Sequence, residues 1–343
     1  MRLEVDTRPL PVVLFSRTAR TLIFLALAGL FVWILKAPLP AGLSPEGQKA
    51  IAAFAVCLVL WVTHVIPLMI TSLLAIILLP LLGIVETKQA YALFGNYAVF
   101  FILGAFILTA AMMKSGLSSR ISLWVLQKMG QTPRRLLLGI FLSGVVFSFF
   151  MSEHAVAAMM FPIILEIARG LELKPFRSRY GASLFLAMAW GTVVGGVATL
   201  LGGARAPLAL GILHELTGER IGFFQWTWAV FPVVLVLGSI SYALIRWLFP
   251  IEIASTQKAQ EILTEKIRGL GRMSGQEKGI GLIMIATILA WMFLGERFGL
   301  ANIAIASVVV MFIVRLVRWR DVEEYVNWGI ILMYGGAIAL GYA

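Results

Sequence analysis

The sequence predicts an all-α polytopic membrane protein, and three observations carry that prediction. Sixty per cent of the 343 residues are hydrophobic and 13% are charged, against about 25% charged in a soluble domain. The hydrophobic residues gather in repeated runs of roughly 20, the length that crosses a ~30 Å hydrocarbon layer as a helix. The formal net charge of +11 comes from Lys and Arg placed between those runs. Positive-inside bias and anionic headgroups account for such residues, so the charge implies membrane lipids as partners and no nucleic acid. Cys57, the single cysteine, sits inside an apolar run, which excludes a disulfide framework and a Cys-based metal site.

Taken in order, the chain up to Arg20 is polar and basic, and no small-residue cleavage site follows a short apolar core. The first hydrophobic stretch therefore reads as a retained anchor. Continuous spans are expected at 21–35, 49–64, 66–84, 97–114, 226–249, 279–294, 300–317 and 326–343. Between Lys114 and Lys128, Leu117, Ile121, Trp124 and Val125 recur at helical spacing, with Met129 continuing the stripe. The segment 114–135 carries five basic and no acidic residues. An interfacial helix on the cytoplasmic face fits that pattern.

Two regions resist reading as single spans. The apolar stretch 136–168 would extend about 50 Å as one straight helix, too far for the hydrocarbon layer. Its middle holds Ser152-Glu153-His154, and both flanks are basic, with Arg134 and Arg135 on one side and Arg169 and Lys174 on the other. Like charge at both ends places both ends on the cytoplasmic face, so a re-entrant helical hairpin with a polar tip is expected. A pair of short spans with an external tip is the alternative. The second region, 180–211, contains Gly191, Gly195, Gly196, Gly202, Gly203, Arg205 and Pro207. Glycine weakens a helix by about 1 kcal/mol and proline by about 3 kcal/mol relative to alanine, so a broken transmembrane helix is expected, with 199–207 as its unwound binding loop. Close packing through small residues is the competing reading.

An internal repeat organises the chain. Asn96-Tyr97-Ala98-Val99-Phe100-Phe101-Ile102-Leu103-Gly104-Ala105 resembles Asn327-Trp328-Gly329-Ile330-Ile331-Leu332-Met333-Tyr334-Gly335-Gly336, an offset of 327 − 96 = 231. With the N-terminus cytoplasmic, the span count sets the two copies in opposite directions, so an inverted-repeat transporter is expected, with an anion channel or a non-transporting membrane scaffold as the alternative. The domains then read as 1–47 (tail and first span), 48–249 (first repeat), 250–278 (polar cytoplasmic connector) and 279–343 (start of the second, inverted repeat). The partner of the first hairpin tip would fall near 153 + 231 = 384, beyond Ala343. A C-terminally incomplete carrier, unable to transport alone, is the expectation.

Over roughly 48–343 the chain resembles the divalent anion–sodium symporter family of dicarboxylate and sulfate carriers. Trp61-Val62-Thr63-His64-Val65-Ile66-Pro67 is similar to the family's Trp-x-Thr-Glu-x-x-Pro, and Phe94-Gly95-Asn96 with Gly104 is similar to the start of its next span. The resemblance implies alternating access, a homodimer, a small anionic substrate, no cofactor beyond a coupling ion, and a multi-pass place in a plasma membrane of bacterial inner-membrane type. Carried over by position, the family's hairpin-tip Ser-Asn-Thr and the preceding Ser become Ser152, Glu153, His154 and Ser148, facing the loop Gly195-Gly196-Val197-Ala198-Thr199-Leu200-Leu201-Gly202. Ser148, Ser152, Glu153 and Gly202 are the implied sodium ligands. The Asn, the Thr, the Glu after Thr63 and a Pro-Pro-Asn after Gly203 are replaced here by Glu153, His154, His64 and Ala204-Arg205-Ala206-Pro207.

Those replacements change the chemistry. A carboxylate is a hard-cation ligand, whereas Glu with His also makes titratable machinery, so sodium and proton coupling both stand. Arg205 is the natural anion ligand, because its fork matches carboxylate and sulfate oxygens; Thr199, Gly202 and Gly203 complete the expected site. The plainer reading makes Glu153 and Arg205 a structural ion pair. His214, beside Glu215, reads as solvated in a polar loop. Ser152, Glu153 and His154 are triad residue types, but consecutive helical residues project about 100° apart and cannot converge as nucleophile and base. No metalloprotease, nucleophile-elbow or phosphate-loop motif occurs, so an enzyme is not expected.

Overall fold

The computed structural model describes residues 10–175 and 177–343, without the side chains of 10–17 and Glu215. Among the described residues the fold is all helix, with no strand. The first helices are α1 (Leu10–Lys36), α2 (Pro45–Thr63), α3 (Leu68–Leu81), α4 (Thr87–Phe94), α5 (Tyr97–Ser115), α6 (Leu117–Met129), α7 (Pro133–Phe147) and α8 (Glu153–Gly170). They are followed by α9 (Arg179–Gly195), α10 (Arg205–Thr217), α11 (Phe223–Leu248), α12 (Gln257–Gly269), α13 (Gly275–Phe298), α14 (Leu300–Ile313), α15 (Trp319–Glu323) and α16 (Trp328–Tyr342). Among the described residues five stretches are long and apolar enough to cross a membrane: Thr18–Lys36, Pro45–Thr63, Thr87–Ser115, Phe223–Leu248 and Gly275–Phe298. This is a multi-pass membrane protein. Three of the expected full spans are shorter apolar helices, Leu68–Leu81, Leu300–Ile313 and Trp328–Tyr342; the 14 residues of α3 rise about 21 Å, less than the hydrocarbon layer. The tail expected to stay polar up to Arg20 lies partly outside the described residues, and within them helix begins at Leu10.

The chain divides into two compact units. One comprises Met1–Asn96 with Trp328–Ala343. Ser44 caps α2 by accepting from the Gly47 N–H, with Pro45 in the first helical position. The helix stops at His64, whose φ of 52° is left-handed, so the His that replaces the family's Glu serves here as a helix terminator with an exposed ring. Ala53, Cys57, Ala75, Ile76, Leu79 and Ala339 form the core. A Cβ at Gly336 would stand 2.7 Å from the Ser72 carbonyl oxygen, so α16 reaches α3 backbone to backbone. The helix α4, absent from the sequence expectation, packs beneath Gly335 through Phe94.

The other unit comprises Tyr97–Asn327, and its organising contact is between α7 and α9. Tyr180 donates to the Pro133 carbonyl at 2.8 Å, and Cβ atoms at Gly191 and Gly195 would fall 2.4 Å from Phe141 O and 2.2 Å from Val145 O. The partners advance together along both helices, so α7 and α9 run parallel and finish side by side. Glycine is required at Gly191 and Gly195 because only a missing Cβ lets the two backbones touch. Both helices then give way to irregular chain, at 148–152 after α7 and at 196–204 after α9.

Around this pair, Gly104 rests against Ala304 to join α5 and α14, and Trp291 is buried between the Phe101 and Phe223 rings at 5.4 and 5.6 Å. The polar segment 250–278 is more than a surface connector. Its helix α12 docks on α6 and α8: Thr256 donates to Gly130 O at 2.7 Å, Gln127 to Thr264 Oγ1 at 3.1 Å, and Lys266 pairs with Glu166 at 2.6 Å. Lys258, hydrogen-bonded to Glu172, holds that carboxyl below its ordinary range. On α6 the inward face is Leu117, Leu123 and Leu126, while Ile121 and Trp124 of the expected stripe are exposed, with Lys128 5.1 Å over the Trp124 ring. The helix has two apolar edges, and the expected stripe mixes them: Leu117 faces inward, Val125 and Met129 are half-buried, and Ile121 and Trp124 lie on the outer edge, the one that suits lipid.

Gly195→Ala is expected to destabilise the protein by about 1–3 kcal/mol, the range for forced overpacking. Gly29→Ala on α1, where nothing lies within 4 Å, is expected to leave stability unchanged or raised. Thermal unfolding in detergent compares the two; equal melting temperatures would contradict the α7–α9 contact.

Candidate functional site

Because α7 and α9 end together, the turn 148–152 and the break 196–204 meet. The Glu153 N–H donates to Gly202 O at 2.8 Å, and Thr199 Oγ1 donates to Phe149 O at 2.8 Å while accepting from the Leu201 N–H at 3.2 Å. Trp226 Nε1 of α11 donates to Val197 O at 3.1 Å. Irregular backbone in an apolar setting must find partners, and each segment supplies them for the other.

The turn is displaced from its expected place. Glu153 and His154 lie in the first turn of α8, and Ser152 is its N-cap, accepting from the Ala155 N–H at 3.3 Å. Capping is what serine does best at that position, and a carboxylate in the first turn complements the positive end of the helix. The break likewise falls at 196–204 and not at 199–207. Gly195 and Gly196 end α9, whereas Arg205 begins α10 with Pro207 in its first turn, where the missing proline N–H would have no helical partner anyway.

Glu153 and Arg205 stand at the two facing helix starts, and Arg205 Nη2 donates to Glu153 Oε2 at 2.6 Å. The two ends of this pair differ in surroundings, with 11% of the Glu153 side chain exposed and 60% of Arg205. His154 points away, its ring 72% exposed and Nδ1 3.8 Å from Glu153 Oε1. Gly203 lies beneath the guanidinium, 3.6 Å from Nη2 to a Cβ built there.

Beside the ion pair, oxygens gather around two touching glycines. A Cβ on Gly202 would lie 2.2 Å from Ser148 O and 2.6 Å from Gly196 O; one on Gly196 would lie 2.8 Å from Glu153 Oε2 and 3.0 Å from Gly202 O. Three carbonyls and a carboxylate oxygen thus border this backbone contact, with Gly202 O already taken by the Glu153 N–H; all are hard donors of the kind that bind alkali and alkaline-earth cations. The Ser148 hydroxyl is buried with no hydrogen-bond partner among the described residues, as are those of Thr71, Ser122 and Ser143. No cluster of three His, Cys, Asp or Glu occurs among the described residues.

Ser148, Ser152, Glu153, Thr199, Gly202, Gly203 and Arg205 therefore come together, and His154 sits at their edge. From the resemblance, sequence reasoning implied carbonyls of the Gly-rich loop 195–202 without saying which, and it missed the Ser148 carbonyl, because the side-chain pattern carries no signal for a carbonyl's direction. It also misplaced His214, which lies within α10, edge-on to Tyr97 at 5.5 Å, because that helix runs on to Thr217 before Gly218 ends it; Glu215's side chain lies outside the described residues. Both Tyr97 and His214 line a cavity of about 470 Å³ whose wall includes Leu200 and Pro207.

Comparison with known proteins bears on this arrangement. The family model described as the sodium:sulfate symporter transmembrane region matches residues 17–343. A membrane protein of Cupriavidus necator is 28% identical over 347 residues, 94% of this chain and 66% of its own length. The sodium-dependent dicarboxylate transporter SdcS of Staphylococcus saprophyticus is 28% identical over 337 residues, 91% of this chain and 65% of its own length. Its Staphylococcus aureus counterpart is 29% identical over 306 residues, 82% of this chain and 59% of its own length. The chain spans between 59% and 66% of the length of these curated relatives.

Arg205→Ala leaves a largely buried carboxylate unpaired. Its cost is expected between the surface and buried limits for ion pairs, about 1–2 kcal/mol, and Glu153→Gln in the same chain is expected to return part of it. Thermal unfolding of the two single variants and the double variant measures this; additive losses would show that the pair contributes no coupling.

Proposed function

This chain belongs to the sodium:sulfate symporter family, and from that premise we propose that the protein acts in secondary transport of small divalent anions, dicarboxylates foremost, with sodium as the coupling ion. The family is one of transporters and not of enzymes. The observation that carries the reading is the meeting of the α7–α8 turn with the α9–α10 break. There, two helix starts, an exposed arginine fork and a set of buried oxygens converge.

In this reading α7 and α8 form a re-entrant hairpin, α9 and α10 are halves of a broken transmembrane helix, and both face a solute at membrane depth. Sodium takes Ser148, the carbonyls of Gly196 and Gly202, and Glu153, with Ser152 setting the start of α8. The anion takes Arg205, with Thr199, Gly203 and His154 around it, where helix N-termini favour negative charge. The helices that begin after Asn96 and after Asn327 head two inverted repeats, the first occupying 48–249. Alternating access carries the hairpin and broken helix against the remaining spans. The protein is a homodimer in a bacterial-type inner membrane, with its N-terminus in the cytoplasm. The names of the staphylococcal relatives favour dicarboxylate over sulfate.

Binding only to the folded state stabilises it by mass action, about 2.7 kcal/mol at a hundredfold excess over Kd. Succinate, citrate, sulfate and phosphate, each with sodium or with potassium, are therefore compared by thermal shift. Succinate with sodium is expected to raise the melting temperature most. Ser148→Ala removes a hydroxyl that has no partner among the described residues and is expected to leave the ligand-free melting temperature unchanged while abolishing the sodium increment. Equal shifts in sodium and potassium would overturn the assignment.

A further inference from the structure

We propose that the cavity enclosed by α5, α10, α11, α13 and α14 is a second binding site, separate from the ion-pair junction. Its ligand is a soluble organic acid with a ring-bearing apolar body and a single negative charge.

All of the lining belongs to the unit Tyr97–Asn327. At about 470 Å³ the cavity falls within the ~300–1,000 Å³ of small-molecule sites, which are mostly apolar with a few placed polar groups. Phe101, Leu200, Pro207, Leu210 and Leu300 face its interior, and Tyr97 and His214 stand edge-on to each other at one side. The charged groups are exposed and lie at the mouth: Arg220 from the chain between α10 and α11, Glu296 and Arg297 from the last turn of α13. The apolar stretches Phe223–Leu248 and Gly275–Phe298 begin and end beside them, so the mouth lies where helices leave the hydrocarbon and meet water.

Both arginines are available to a ligand. Arg220 makes no ion pair or side-chain hydrogen bond among the described residues, and Arg297 does no more than cover the Phe298 ring, 5.3 Å from its centre. Glu296 has no cationic partner among the described residues either; its Oε1 rests beside Gly222, 3.8 Å from a Cβ built there. Two arginines against one glutamate leave one net positive charge at the mouth. One carboxylate satisfies it, through the paired hydrogen bonds that a guanidinium fork offers. A second carboxylate on the same ligand would meet Glu296 or be pressed onto the apolar walls, where an unpaired charge is costly. The cavity therefore selects against the small divalent anions assigned to the junction. Its aromatic walls favour a ring over an acyl chain, because rings pair edge-on or offset with rings.

The test measures phenylbutyrate binding by calorimetry on the purified chain in nanodiscs of phosphatidylcholine, with gel filtration to check that each variant is folded. Phenylbutyramide, the same body without the charge, is expected to bind about tenfold or more weakly, as is phenylbutyrate to the double variant Arg220→Gln with Arg297→Gln; a lost charge-assisted hydrogen bond has that effect. Arg205→Gln, at the junction and outside the lining, is expected to bind phenylbutyrate as the wild type does, and excess succinate is expected not to displace it. A wild-type chain that does not bind phenylbutyrate overturns the site, as does an amide or a double variant that binds equally well. Displacement by succinate, or weakening in Arg205→Gln, would place the ligand at the junction instead. Binding lost in nanodiscs that contain phosphatidylglycerol would assign the cavity to a lipid headgroup and overturn the soluble ligand. Each of these failures leaves the carrier reading standing.

Discussion

The site depends on two backbones touching. Gly191 and Gly195 of α9 lie directly on Phe141 O and Val145 O of α7, and that contact makes two parallel helices end at one level. Everything with chemical interest lies just beyond those ends. Were a Cβ present, the helices would separate, the Glu153 N–H would lose Gly202 O, and the Thr199 latch to Phe149 O would open. Small residues drive such contacts in apolar surroundings, where packing and hydrogen bonds replace the hydrophobic effect as the force between helices.

Charge is the second constraint. Two helices start at the site, and both starts favour negative groups. Glu153 follows that rule; Arg205 violates it and is held by Glu153. A cation at a helix start makes electrostatic sense once an anion or a carboxylate stands before it. The resulting neutral pair lies beside buried carbonyls and an unpartnered Ser148 hydroxyl, so polar groups that are costly inside an apolar protein collect in one place.

Much of this was legible in the sequence. The 33-residue apolar stretch, expected to fold back, and the stretch with five glycines and a proline, expected to break, are each two separate helices with irregular chain between them. The boundaries were less legible. Ser152 reads equally as a tip residue or an N-cap until the start of α8 is known, and Pro207 reads as a breaker although the first helical turn tolerates it. The docking of α12 was hidden, since its partners Gln127, Gly130, Glu166 and Glu172 are remote in sequence and carry no periodic signal. For α6, two apolar edges made the inward face ambiguous. Carbonyls of the Gly-rich loop were expected at the site, but which of them face it was beyond reach, because side-chain identity does not report where a peptide oxygen points. Glu153 and Arg205 were both singled out as ionisable groups in an apolar context, and whether they paired was a question of distance alone.

The most direct test of the central claim is a cryo-electron microscopy map of the protein in lipid nanodiscs with succinate and sodium. The account predicts two densities at the junction of the turn and the break. A cation would lie among Ser148, Gly196, Gly202 and Glu153, and an elongated anion would lie against Arg205. A map with the turn and the break apart, or with succinate held elsewhere, would contradict it.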